Sequence, residues 1–286
     1  MLDQLLASLV DGLLIGFVYG VAAMGLTLIW GVMRVINLAH GPIIALSMFG
    51  IYFLFTGLGL NPYLALPVVA VIGLLFGFLM YGVAVQRVIN APHLSTLLAT
   101  FAVNLMLIGT GTAVFTTSPR NVDFNLGRLM LGPLTLPVTR LVAAGAAIVV
   151  TAGLYFFLYR TPPGKTIRAV ANNRTAAELM GIPSNRVLAL SFGLGTMLAT
   201  VAGGLIATFF PFTILSGGTY ELKSFVISVL GGLGNPLGAL LGGLVLGGLE
   251  GFIPVFLPVT WVPVIEFGLF VLILLVRPSG LFGGRE

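Results

Sequence analysis

Eight stretches of this chain run for roughly twenty residues with almost no charge, the length an α-helix needs to cross about 30 Å of hydrocarbon. They lie near 8–30, 41–57, 63–85, 94–116, 140–159, 187–210, 224–253 and 262–276. Inside a bilayer the backbone must satisfy its own hydrogen bonds, so the expected fold is an all-α, polytopic membrane helix bundle of about eight spans. Composition points the same way. Of 286 residues, 58% are hydrophobic and 7% charged, against about 25% charged in soluble domains, and the mean hydropathy is +1.13.

Charge sets the orientation. The segment RTPPGKTIRAVANNRTAAELMGIPSNR carries Arg160, Lys165, Arg168, Arg174 and Arg186 against one acid, Glu178, and positive-inside bias assigns it to the cytoplasm. Stepping backwards puts Arg87 and Arg34 inside. The N-terminus and the loop 117–139 are then outside, where Arg120, Arg128 and Arg140 run against the bias. In 224–253 the run Gly231-Gly232-Leu233-Gly234-Asn235-Pro236 predicts a broken, re-entrant pair of short helices, which returns the tail with Arg277 and Arg285 to the cytoplasm. Asp3 and Asp11 stand where a signal peptide would carry Lys or Arg, so the first span is expected to be retained. The reading is one membrane domain over 1–286, with a cytoplasmic loop at 160–186.

Several functions are excluded. A net charge of +5 spread over thirteen cations is too sparse for a phosphate-tracking surface, so no nucleic acid partner is expected. The chain has no cysteine and only His40 and His93, hence no thiolate chemistry, metal site or cofactor is expected. Gly164-Lys165-Thr166 ends like a phosphate-binding loop, but Tyr159 stands where its first glycine belongs, and no strand precedes it. No nucleophile and base fall at interpretable spacing, so the chain is not read as an enzyme.

Within the basic segment two short helices are predicted. The first covers Lys165 to Ala171 and stops at Asn172-Asn173. The second starts at Thr175, which with Glu178 makes a T-x-x-E capping box, and ends at Gly181 and Pro183. Helices this short need a docking surface. Gly12, Gly16 and Gly20 recur every fourth residue, as do Gly243, Gly247 and Gly251, with pairs at Gly73/Gly77 and Gly238/Gly242. Such stripes mark close helix packing, a subunit interface or a pore lining. Polar groups in or beside spans are candidates for a translocation path: Asn37 and His40 at the first break, Asn104 in the fourth span, Asn235 at the second break, and Glu250. Glu266 is read as structural. Asn37–Gly50 and Asn235–Gly248 are loosely alike, as in an inverted repeat, though chance likeness in so Gly-rich a chain is the simpler reading.

Five stretches occur in order: GVMRVINLAHG (Gly31 to Gly41), GKTIRAVA (Gly164 to Ala171), AAELMGI (Ala176 to Ile182), VLGGLGNPLGALLGG (Val229 to Gly243) and RPSGLFG (Arg277 to Gly283). Through them the whole chain resembles the inner-membrane permease subunits of branched-chain amino acid ABC transporters. The resemblance implies a multi-pass protein of the bacterial inner membrane, surrounded by lipid. It implies as partners a second permease subunit, ATP-binding subunits and a periplasmic substrate-binding protein, with a branched-chain or related neutral amino acid as the small-molecule substrate. Thr175-Ala176-Ala177 followed by Gly181 is similar to the E-A-A-x-x-x-G pattern of importer permeases, with Thr175 in place of the glutamate. That implies an ATPase-coupling role for Lys165, Arg168, Asn172, Arg174, Thr175, Ala176, Ala177, Glu178 and Gly181. Two alternatives stand beside it: a permease of the same superfamily for an amide, urea or sugar, and an ATPase-independent secondary transporter or channel. Glu250 and Glu266 keep the last open; the helical basic loop argues against it.

Overall fold

The computed structural model describes residues 2–131, 134–277 and 280–282. Pro278, Ser279 and Gly283 of the RPSGLFG stretch, and Arg285, lie outside the described residues. The helices are α1 (Leu2–Met33), α2 (His40–Leu58), α3 (Pro62–Met80), α4 (His93–Phe115), α5 (Val138–Arg160), α6 (Pro162–Asn172), α7 (Arg174–Leu179), α8 (Ser184–Ile206), α9 (Ser216–Gly231), α10 (Pro236–Phe256) and α11 (Trp261–Val276). A π-helical turn, Tyr81–Val85, prolongs α3. Strands β1 (Arg128–Leu131) and β2 (Leu134–Pro137) form an antiparallel hairpin between α4 and α5, with Arg128 opposite Pro137.

The expected all-α polytopic bundle is what forms. Seven helices are long and apolar enough to cross a membrane, α3 counting with its π turn. The expected eighth span, α11, has 16 residues and so rises about 24 Å. Helices α1 and α8 are the most buried, and residues such as Val18, Ile29, Leu198 and Leu205 form the centre of the core. Helices α3, α4 and α5 turn Leu75, Leu79, Leu98, Met106 and Val149 outward. In a soluble protein that surface would be a liability; facing hydrocarbon, it costs nothing.

The glycine stripes are a packing device. Helices α1 and α10 run antiparallel with their backbones nearly touching: a methyl group added to Gly16 would meet the Gly243 carbonyl oxygen at 2.6 Å, and one on Gly12 would meet the Gly251 Cα at 2.8 Å. At the far end of this seam Gly31 lies against Gly234. Gly73 and Gly77 of α3 receive Thr200 and Thr196 of α8, and the Thr196 hydroxyl donates to the Gly73 carbonyl at 3.0 Å. Of the three readings open to the sequence, internal packing is the one these glycines serve.

Both helix breaks exist. Arg34, with φ 53°, turns the chain back along α1, so that α2 begins beside Ala22, whose carbonyl bonds His40 Nε2 at 2.9 Å. Ala22 lies about 16 Å from the end of α1 by helix rise, so α2 starts inside the bundle. The second break falls at Gly232 to Asn235, where Gly232 and Gly234 take φ of 91° and 88°, a left-handed conformation that glycine adopts without penalty. The Asn235 side chain then caps α10 by accepting from the Gly238 N–H. The pair differs from expectation in its limits. Helix α9 begins at Ser216, because Glu221 and Lys223, which flank the apolar run in sequence, lie within the helix; and α10, at 21 residues, is not short.

The break also catches the tail. Leu281 N–H donates to the Leu230 carbonyl at 2.8 Å and Asn235 Nδ2 to the Phe282 carbonyl at 3.1 Å. The tail, the Gly31–Gly234 contact, Arg87 and α6 therefore share one end of the bundle, with Asn90 of the Arg87 loop bonded to Arg174. The loops 117–139 and 207–215 share the other, joined by the Arg120–Phe212 bridge.

Two outcomes follow. Gly16→Leu or Gly243→Leu drives a side chain into opposing backbone and lowers stability by about 1–3 kcal/mol, read as a fall in thermal midpoint in detergent. Gly145→Ala, with open space around it, leaves the midpoint unchanged or raised. In the cysteine-free chain, single cysteines at Asn173 and Leu281 share one response to an impermeant thiol reagent in intact cells, and one at Asn125 gives the opposite response.

Candidate functional site

At the basic end the two short helices are held very differently. Thr161 caps α6 by accepting from the Gly164 N–H, and Gly164 lets the helix lie directly on the end of α5. Ile167 and Val170 are buried. Arg168 donates through Nε to the Leu158 carbonyl at 3.0 Å and lies 4.4 Å from the Tyr159 ring centre. Helix α6 starts three residues earlier than predicted, at Pro162, since proline suits the first turn of a helix. It is part of the membrane body.

Helix α7 projects beyond that anchor. Only Ala177 is buried, whereas Leu179 and Met180 are 84% and 83% exposed. The predicted capping box does not form. Asn173, one residue before the helix, accepts from the Ala176 N–H at 3.0 Å, which leaves Thr175 inside the first turn. Glu178 instead bonds Arg174 Nε at 3.0 Å, one turn back. The Arg174 guanidinium, helped by the Ser184 hydroxyl, holds the Glu178 carboxyl below its ordinary range. Gly181, at φ 80°, ends the helix as expected, with Gly181 N–H on the Glu178 carbonyl and Ile182 N–H on the Ala177 carbonyl.

The nine residues of the coupling assignment thus divide. Lys165, Thr175, Ala176, Glu178 and Gly181 are exposed. Arg168 and Asn172 line a cavity of about 330 Å³ between α1, α5, α6 and the start of α10, together with Asn235. Arg174 is tied to Asn90 and Glu178, and Ala177 packs inward. Leu179 and Met180 were not singled out by sequence reasoning; two apolar residues immediately before a helix-ending glycine were the available signal.

The path residues are spread along the bundle. Asn37 and His40 are buried at the start of α2, where Asn37 Oδ1 accepts from the Ala39 N–H at 3.1 Å, a local turn-forming role. Thr100, one turn before Asn104 on α4, donates to the Ile36 carbonyl, and Asn104 is half-buried. Asn235 sits at the basic end. Glu250 lies toward the opposite end, where it forms an ion pair with Lys223 of α9 and lines a second cavity of about 420 Å³.

That second cavity gathers charges that sequence reasoning only partly used. Asp11 and Tyr19 of α1, Tyr220 and Lys223 of α9 and Glu250 of α10 line it. Asp11 pairs with Arg140 at the start of α5. Lys223 Nζ stands 4.8 Å from the centre of the Tyr19 ring, and the Tyr19 and Tyr220 rings are 6.1 Å apart. Glu221, on the same helix, turns toward α2, where a methyl group on Gly41 would meet its Oε2 at 2.7 Å. A carboxylate there faces the positive end of a helix that starts inside the bundle.

A family model described as branched-chain amino acid transport system / permease component matches residues 8–275. The chain is 30% identical over 300 residues to the high-affinity branched-chain amino acid transport system permease protein BraD of Pseudomonas aeruginosa, covering 98% of this chain and 96% of that protein. It is 29% identical to the corresponding protein LivH of Salmonella typhimurium, with the same coverage. The ribose import permease protein RbsC of Escherichia coli matches at 28% over 82% of this chain and 73% of its own length.

The cap of α7 gives a direct check. Asn173→Ala removes the bond that starts the helix, at a cost of about 1 kcal/mol; amide exchange across 174–180 accelerates several-fold. Thr175→Ala changes it far less, the reverse of what a capping box at Thr175 would give.

Proposed function

The chain belongs to the branched-chain amino acid transport system permease family, and from that premise we propose that it is one permease subunit of an ABC importer. In this reading it is a single membrane domain over 1–286 in a bacterial inner membrane. It forms half of a translocation path for branched-chain or related neutral amino acids, with a second permease subunit supplying the other half. A substrate-binding protein delivers the solute on the outer side, and ATP hydrolysis on partner subunits drives transport.

The observation that carries this reading is the contrast between α6 and α7. Helix α6 is clamped to α1, α5 and α8, while the six-residue α7 stands off the basic end with Leu179 and Met180 almost bare. An exposed apolar pair on an otherwise polar helix fits a groove on a partner, and the anchored α6 behind it supplies a rigid link to the spans. Thr175 and Glu178 add exposed polar groups on the same short helix and Lys165 an exposed cation on α6, with Ala176 exposed beside them, and Arg168, Asn172, Arg174 and Ala177 hold the support. The path runs from the cavity at Glu250 past Asn37, His40 and Asn104 toward Asn235.

A second reading, a sugar permease, draws on the more distant match to the ribose import permease. Identifying the ligand of the partner binding protein separates the two. For the docking reading, Leu179→Glu with Met180→Glu reduces co-purification of the ATP-binding subunit at least tenfold. Membrane insertion and the thermal midpoint stay unchanged. Stoichiometric ATP-binding subunit on the double variant would sink the assignment.

A further inference from the structure

The cavity at the end of the bundle opposite α7 is lined by three charged side chains, Asp11, Lys223 and Glu250. Arg140 answers Asp11, and Lys223 answers Glu250. Glu266 is then left over. It lies one turn beyond the cavity-lining Val262 on α11, is 3% exposed, and its Oε1 has no hydrogen-bond partner among the described residues. Lys223 thus meets the Glu250 carboxylate of the neighbouring helix, with the Tyr19 ring beside it, and Glu266 lies one turn beyond the cavity wall on α11. A buried carboxylate without a full partner is costly in a low-dielectric site, and a mobile cation that completes it is correspondingly favoured.

We propose that this cavity is a transit subsite for the backbone of a zwitterionic amino acid. The substrate carboxylate takes Lys223, and its ammonium takes the place Lys223 vacates beside Glu250. The exchange replaces one ion pair by two and, the ligand being neutral overall, leaves the net charge of the site unchanged. Ile15, Pro254, Val259 and Val262 offer the apolar side chain a wall, and the volume falls within the range of small-molecule pockets, about 300–1,000 Å³. Because the ligand must displace an existing Lys–Glu pair, net affinity is low, as a site that must also release its solute requires. Tyr19 adds a second surface for the ammonium, since it already receives that of Lys223. This proposal rests on the amino-acid permease reading and deepens it.

Accessibility labelling tests it in the assembled transporter. Thr219→Cys introduces a single thiol in the cavity lining. With the complex in proteoliposomes, millimolar leucine slows modification at least threefold, whereas isoamylamine, which lacks the carboxylate, and 4-methylpentanoate, which lacks the ammonium, slow it little. Lys223→Met, Glu250→Gln and Glu266→Gln each remove the leucine protection while the ATP-binding subunit still co-purifies. Equal protection by the amine alone would make this a cation site and overturn the zwitterion reading. So would absence of leucine protection on the Thr219→Cys background, which needs no change to any charge. The amino-acid reading itself is judged separately, by which solute the binding protein holds: leucine there with no protection here refutes the subsite alone. Should any of the three charge variants fail to assemble, the analogue series on Thr219→Cys still decides.

Discussion

Everything in this bundle is arranged around the contact between α1 and α10. Gly12, Gly16, Gly243, Gly247 and Gly251 clear side chains from the middle of the seam, so two antiparallel backbones meet where side chains would normally hold helices 8–10 Å apart. Lipid tails are as apolar as leucine, and the hydrophobic effect therefore gives no preference for helix on helix over helix on lipid. Close packing supplies the preference instead, through many short dispersion contacts. The seam fixes α10 beside α1, one of the two most buried helices, and α8, the other, packs on α1 and carries α3.

Once α1 and α10 are locked, the two breaks become tolerable. A chain that stops being helical, inside the bundle at the first break and at its basic end at the second, frees N–H and C=O groups that must find new partners. Here each finds a protein partner: Asn37 Oδ1 takes the Ala39 N–H, Asn235 Oδ1 takes the Gly238 N–H, and the Leu230 carbonyl takes the Leu281 N–H. His40 closes the first break onto α1 through the Ala22 carbonyl, and Ser228 of α9 reaches the neighbouring Ala23 carbonyl at 3.1 Å. Both broken segments therefore lean on the same turn of α1.

Most of the architecture was legible because apolar length, glycine spacing and charge bias act locally. The spans, the two breaks, the pair of short helices and the glycine packing could all be read from neighbouring residues. What escaped required three dimensions. Thr175 and Glu178 have the spacing of a capping box, but Asn173 lies one residue before the helix, where its side-chain oxygen reaches the Ala176 N–H; with Arg174 one turn from Glu178, the two patterns compete and geometry decides. Glu221 and Lys223 look like the polar flank of a span because an apolar window penalises them. In the fold they sit on α9 among partners 27 to 180 positions away in the chain, Glu250 and Gly41. Asn37, His40, Asn104, Asn235 and Glu250 were grouped by polarity alone. Polarity marks where a membrane helix has something to satisfy, without saying whether the partner is its own backbone or a passenger.

The same seam gives the two cavities a mechanical relation. Residues 11–19 of α1 line the charged cavity and residues 24–32 line the one at the basic end, while α10 contributes Glu250, Gly251 and Pro254 to the first and Pro236 and Leu237 to the second. Where glycine meets glycine, the backbones of α1 and α10 are in direct contact along the stretch that joins the two cavities. Helix α6 rests on the end of α5 through Gly164 and Arg168, and its Ile167 and Arg168 line the cavity that Gly31 and Gly234 help to close. The Lys223–Glu250 pair ties α9 to α10 and the Asp11–Arg140 pair ties α1 to α5, so each helix of the seam is joined by charge to a neighbour at the end where the first cavity lies.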